Sequence, residues 1–120
     1  MADRCYDVWM GNSRGNYYSR EHTHLNVKHD KFWDFSWHEM GVNDVPAVID
    51  YVLNVTVKSN LFYVGHSQGT TEFFIFNEFY PEYENKVKAM FAMAPIAYLG
   101  HSHSLVLQFI AHFQTIANVS

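Results

Sequence analysis

One pentapeptide in this chain has the residue types and spacing of a catalytic device: Gly65-His66-Ser67-Gln68-Gly69, a G-x-S-x-G pattern. A serine hydroxyl is a weak nucleophile unless a base takes its proton and donors stabilise the oxyanion that forms. The pattern offers both requirements a starting geometry. When a strand enters it and a helix leaves it, the turn is tight enough to hold Ser67 in strained backbone and to push its hydroxyl out at the strand's carboxyl end. The Gln68 amide then lies at a helix N-terminus, aimed where a negative oxygen would develop. Gly65 and Gly69 are expected to be glycine because a side chain at either would collide with the neighbouring strand or helix.

The flanking segments supply that context. Leu61-Phe62-Tyr63-Val64 is short, aromatic and β-branched, and runs into Gly65. Thr70 to Phe79 is apolar on most faces, which predicts a buried helix closed by Pro81. Upstream, Ser36-Trp37-His38-Glu39 has capping-box spacing, and Asp44-Val45-Pro46 is a second helix-start signal. Val45, Val48, Ile49, Val52 and Leu53 recur at helical spacing and predict a helix ending near Asn54. Tyr6 to Met10 reads as a strand ended by the turn formers Gly11 to Asn16, Tyr17 to Lys31 as a polar loop, and Val87 to Ala94 as a further strand. Residues 105–117 predict a short amphipathic helix. Strands alternating with helices imply parallel pairing with crossovers, an α/β fold.

Composition narrows the function classes. The 120 residues are 48% hydrophobic and 18% aromatic, which describes one globular unit able to bury a core. Eight Lys+Arg against twelve Asp+Glu give a net charge of −4, against the basic stripe of a nucleic-acid binder. No apolar run approaches the roughly 20 residues that a transmembrane span needs. The single cysteine, Cys5, rules out a disulfide within the chain and a cysteine-rich zinc module.

Other residues invite chemistry and are weighed against plainer roles. His66, beside the serine, is a tempting base, but neighbours at a sharp elbow point apart, so it is expected to pack or line the pocket. His22, His24 and His29 lack metal-site spacing and an acidic helix partner, so a solvated loop is expected and no metal site is assigned. Trp33 and Trp37 are expected in the core, and Arg14 and Arg20 as solvated charges. In this fold the triad order is Ser, then Asp or Glu, then His. No aspartate follows Ser67. Glu72, Glu78, Glu82 and Glu84 are expected at the surface, and pairing Glu84 with His101 as a triad lacks a later strand to carry them.

Longer phrases now make a resemblance specific. Tyr6-Asp7-Val8-Trp9-Met10-Gly11-Asn12-Ser13-Arg14-Gly15-Asn16, Phe32-Trp33-Asp34-Phe35-Ser36, Tyr63 to Thr71 and Ala92-Met93-Ala94-Pro95 resemble the acid lipase family of α/β-hydrolases, the gastric and lysosomal lipases and their insect relatives. The likeness implies a partial α/β-hydrolase core over residues 1–99, with residues 100–120 resembling the start of the cap that covers the family's active site. It implies Ser67 as nucleophile and Gln68 as one of two oxyanion amides. The other oxyanion donor lies in a His-Gly segment of the family that this sequence lacks. It also implies a lipid ester substrate, an acyl-serine intermediate, no cofactor, a lysosomal or secreted setting, and a lipid interface through the cap. Met1 to Cys5 has no signal-peptide character, whereas Asn54-Val55-Thr56 and Asn118-Val119-Ser120 are glycosylation sequons. The two agree if the chain is a piece of a longer one, and the 120 residues by themselves are then expected to be inactive. The alternative is a non-catalytic remnant or a lipid-binding fragment.

Overall fold

The computed structural model describes residues 1–97. The expected helix over 105–117, the cap start at 100–120, His101 and Asn118 lie outside the described residues.

Helical structure begins where Ser36 caps it. The Ser36 hydroxyl accepts from the His38 amide at 3.1 Å, and the Glu39 carboxylate accepts from the Ser36 amide and hydroxyl, both at 2.7 Å. This reciprocal box opens α1 (Trp37–Glu39), which widens into a π-turn over Met40–Asp44 and continues as α2 (Val45–Thr56). Asp44 has helical backbone angles and makes no cap hydrogen bond, so Asp44-Val45-Pro46 is an interior passage and not a second start. Pro46 has no N–H for the carbonyl of Val42, four residues back. The Tyr80 hydroxyl donates to that carbonyl instead, at 2.9 Å. Helix α2 ends at Thr56, two residues beyond the expected limit, and Val57 caps it in the left-handed region.

Two strands follow, β1 (Leu61–His66) and β2 (Val87–Met93), joined through α3 (Gln68–Phe79) and a 3₁₀ turn at Pro81–Asn85. They pair in parallel, Phe62 opposite Ala89 and His66 opposite Met93. A parallel pair needs such a crossover because a tight turn cannot reverse the chain twice. Val45, Ile49 and Leu53 of α2 meet Phe73 and Phe76 of α3 in the core, bordered by Leu61, Tyr63, Val87 and Met90 of the strands. The opposite face of the strand pair shows Phe62, Val64, Phe91 and Met93, with the Phe62 and Phe91 rings 6.2 Å apart. Strands of parallel sheets are ordinarily covered on both faces; among the described residues only the helical side is.

Three expectations are corrected. Tyr6–Met10 forms no strand among the described residues: ladder hydrogen bonds need a neighbour, and none lies beside it. Helix α3 is only partly buried, with Phe74 and Phe79 exposed while Thr70 and Glu72 are inside. Trp33 and Trp37 are 43% and 47% exposed. The indole N–H of Trp33 donates to the Val27 carbonyl at 2.9 Å and its ring lies against Phe32 and Phe35, so it holds a surface loop while Phe32 takes the buried place.

The Ser36 donors hold the Glu39 carboxyl down at about 2, well below the ordinary 4.5. A group whose folded pKa is lowered stabilises the fold above its unfolded value and loses that contribution as pH falls through the folded one. Glu39→Gln should therefore melt below the parent at pH 7, with the difference closing between about pH 4.5 and pH 2 in a thermal-unfolding series. A gap that stays constant across this range would contradict the cap assignment.

Candidate active site

The candidate site is built at the junction of β1 and α3. Ser67 sits between them with φ 51° and ψ −115°. A non-glycine residue at positive φ costs of order 1–3 kcal/mol, and persists only where its surroundings over-determine it. Here they do. The Ser67 amide donates to the Met93 carbonyl at 2.9 Å, extending the strand ladder one residue past β1. The Ser67 carbonyl accepts from the Thr70 amide at 2.9 Å and the Thr70 hydroxyl at 2.6 Å. Thr70 is fully buried, and its hydroxyl also accepts from the Ile96 amide at 2.9 Å, while the Thr71 hydroxyl donates to the Ile96 carbonyl at 2.7 Å. The elbow is thus stitched to the segment leaving β2. Gln68 is the first residue of α3, where backbone N–H groups have no carbonyl one turn back to bond.

The two glycines of the pattern do different things. A Cβ on Gly65 would lie 2.8 Å from the Gly69 carbonyl oxygen and 3.1 Å from the Thr70 nitrogen, so the strand can approach the helix start only as glycine. A Cβ on Gly69 would meet only the Tyr63 hydroxyl, at 3.8 Å, which is ordinary contact. The expected collision at Gly69 is corrected accordingly. Tyr63 reaches the same spot from β1, its hydroxyl donating to the Gly69 carbonyl at 3.0 Å. Burial first, and then the nearby Glu72 charge, push this phenol up to about 12, so it is a donor at any working pH.

Among the glutamates after the elbow, Glu72 is not at the surface. It is 5% exposed, and its carboxylate accepts from the Ser13 hydroxyl at 3.0 Å on both oxygens and from the Gln68 side-chain amide at 2.8 Å. Gln68 also contacts Met40 Sδ at 3.2 Å. Gly41 explains how the π-turn comes this close: a Cβ there would lie 2.7 Å from Ile75 Cβ and 2.8 Å from the Glu72 carbonyl. Arg14 is not a solvated charge either. Its guanidinium engages Asp44 through Nε and Nη2, the latter at 2.6 Å, and its amide donates to the same carboxylate at 3.0 Å. Asp44 holds the guanidinium proton above its ordinary affinity. Ser13 and Arg14 therefore carry the Gly11–Asn16 segment onto the helices behind the elbow.

The remaining candidates are dispersed. His66 is exposed and lies opposite Met93 on the open face of the strand pair. His22 Nδ1 accepts from the His24 and Leu25 amides, both at 3.0 Å, which is a turn contact. Arg20 lies 5.8 Å from the Trp33 ring centroid. Among the described residues no three His, Cys, Asp or Glu side chains group as a metal would require. None of the described helices is long and apolar enough to cross a membrane. Asn54 is exposed in the last turns of α2. Glu84, in the turn after α3, belongs to the rim of a shallow groove with Phe73, Asn77 and Val87.

Comparison with known proteins follows the same residues. The family profile described as the alpha/beta hydrolase fold matches residues 2–117. Lipase 1 of Drosophila melanogaster is 56% identical over 98 residues, covering 82% of this chain and 22% of that protein. Human lysosomal acid lipase/cholesteryl ester hydrolase is 50% identical over 97 residues, 81% of this chain and 24% of that protein. Human Lipase member M is 48% identical over 110 residues, 92% of this chain and 26% of its own length. The chain thus spans about a quarter of the length of these curated relatives.

The two glycines give a paired prediction. Gly65→Ala should destabilise the fold by about 2–4 kcal/mol, since backbone must move to relieve the contact. Gly69→Ala should be neutral or stabilising by up to about 1 kcal/mol, as Ala is the better helix former. Chemical denaturation of the two variants beside the parent measures both, and equal losses would contradict the geometry.

Proposed function

The chain belongs to the α/β-hydrolase family and, within it, to the acid lipases, and on that premise we propose that Ser67 is the nucleophile of a carboxylic ester hydrolase acting on acylglycerols or sterol esters. The observation that carries this reading is the strained Ser67 at the end of β1, with α3 starting at the next residue. Ser67 Oγ attacks the ester carbonyl carbon, and its proton passes to a histidine base. The Gln68 amide donates to the oxyanion of the tetrahedral intermediate, which collapses to acyl-Ser67 and releases the alcohol once the imidazolium protonates it. Water then attacks the acyl carbon by the same route, releasing the fatty acid and restoring the serine. The sequence is hydrolytic throughout and calls on no metal or organic cofactor.

The histidine base, its orienting carboxylate and the second oxyanion donor are taken to come from outside these 120 residues. No aspartate follows Ser67 here, and Glu72, Glu78 and Glu84 lie on α3 or the turn after it, not beyond a later strand. On this reading the 120-residue chain has negligible turnover alone, because loss of triad partners costs orders of magnitude in rate. A lysosomal or secreted setting fits the relatives' character and the exposed Asn54 sequon, where a glycan would have room.

The test is hydrolysis of p-nitrophenyl butyrate by the complete product of the gene that encodes these residues. Ser67→Ala should lower kcat by about 10³-fold or more with the melting temperature little changed. Parental rates in Ser67→Ala would exclude Ser67 as the nucleophile. A burst of product from the 120-residue chain, lost in Ser67→Ala, would overturn the view that it is inactive alone.

A further inference from the structure

The described residues hold one buried carboxylate that the proposed chemistry does not use. Glu72 stands one helical turn after Gln68, and an i, i+4 pair on a helix shares one face. Burying a charged group is costly unless hydrogen bonds compensate it, so a carboxylate that is 5% exposed restricts whatever it binds. Its partners come from two places: the Ser13 hydroxyl on the Gly11–Asn16 segment and the Gln68 side-chain amide at the start of α3. Gln68 is held a second time by Met40 Sδ of the π-turn. Gln68, the residue whose main-chain N–H is assigned to the proposed oxyanion, is thus held by Glu72 from its own helix and by Met40 from the π-turn, while Ser13 braces Glu72 from the Gly11–Asn16 segment.

From this arrangement we infer that Glu72 is a positioning residue for the hydrolysis: it grips the Gln68 side chain against the π-turn and so fixes the first peptide of α3. The inference rests on the ester-hydrolase reading of Ser67 and Gln68. An oxyanion donor is effective when it is already in place as charge develops, and a displacement of about 1 Å at such a group can cost about 10²-fold in rate. A Gln68 side chain released from Glu72 lets the first turn of α3 fray, since helix ends lack their full set of backbone bonds. The oxyanion's charge develops only in the transition state, so the loss should fall on kcat and not on KM.

The experiment uses the complete gene product and p-nitrophenyl butyrate. Glu72→Ala should lower kcat about 10- to 100-fold with KM within about 3-fold of the parent. Glu72→Gln, whose amide oxygen still accepts from Gln68 and Ser13, should recover kcat to within about 3-fold. Gln68→Ala keeps the backbone N–H but removes the gripped side chain, and should resemble Glu72→Ala. In the Gln68→Ala background, Glu72→Ala should add no further loss, because both changes break one interaction. Additive losses in that cycle would overturn the inference, as would a Glu72→Ala enzyme with parental kcat. Should Glu72→Ala fail to fold, Gln68→Ala decides alone: a reduced kcat supports the inference and a parental one overturns it. Ser67→Ala measured alongside separates the two levels. Activity surviving Ser67→Ala defeats the nucleophile assignment, whereas an inactive Ser67→Ala beside a parental Gln68→Ala defeats only the role of Glu72.

Discussion

The structure turns on the contact between Gly65 and the start of α3. With no side chain at Gly65, the carbonyl of Gly69 approaches to where a Cβ would otherwise stand, and that closeness forces the backbone to reverse within Ser67. The positive φ follows from the approach. Strain of about 1–3 kcal/mol at one residue is small beside what holds it. Ser67 makes three short hydrogen bonds through its own main chain, and Thr70, wholly buried, makes two of them and ties Ile96 to the same point. The hydrophobic contact of α2 with α3 then fixes the helix that the elbow launches.

The parts legible in the sequence are those whose signal is local. The capping box at Ser36 lies within four residues, the α2 stripe repeats every turn, and Leu61 to Val64 followed by G-x-S-x-G states strand, turn and helix consecutively. The structure bears these out, except that Val48 of the α2 stripe is exposed. Signals that depend on distant partners were not legible. Tyr6–Met10 has the composition of a strand but pairs with nothing among the described residues. Asp44-Val45-Pro46 has the letters of a helix start, yet the missing proline bond is compensated by Tyr80, 34 positions onward, and the helix runs through.

The charged residues show the same divide more sharply. Arg14 and Glu72 look like surface groups because their types usually are. Their partners, Asp44 and Ser13, lie 30 and 59 positions away. One available hint was spacing: Gln68 and Glu72 stand four apart on a predicted helix, and Gln with an acidic residue at that spacing is a favourable pair. Such a pair on a surface stabilises by only a few tenths of a kcal/mol. Burial changes its meaning, and burial is decided by Gly41, whose lack of a side chain brings the π-turn onto α3.

The surroundings of the elbow are polar where the rest of the packing is aromatic and aliphatic. Phe73 and Phe76 face the apolar core from α3, while Thr70 and Glu72, on the same helix, face hydrogen-bonding partners. An apolar replacement could fill that volume at equal or lower energetic cost, since polar and charged groups surrender hydration when buried. What apolar packing cannot do is fix direction, because dispersion contacts tolerate rotation and sliding that a short hydrogen bond does not. For the proposed ester hydrolysis direction is the requirement: the Ser67 hydroxyl and the Gln68 amide must point at the same small volume. The helix therefore divides along its length, with hydrogen bonds orienting its first turn and Phe73 and Phe76 anchoring the turns beyond.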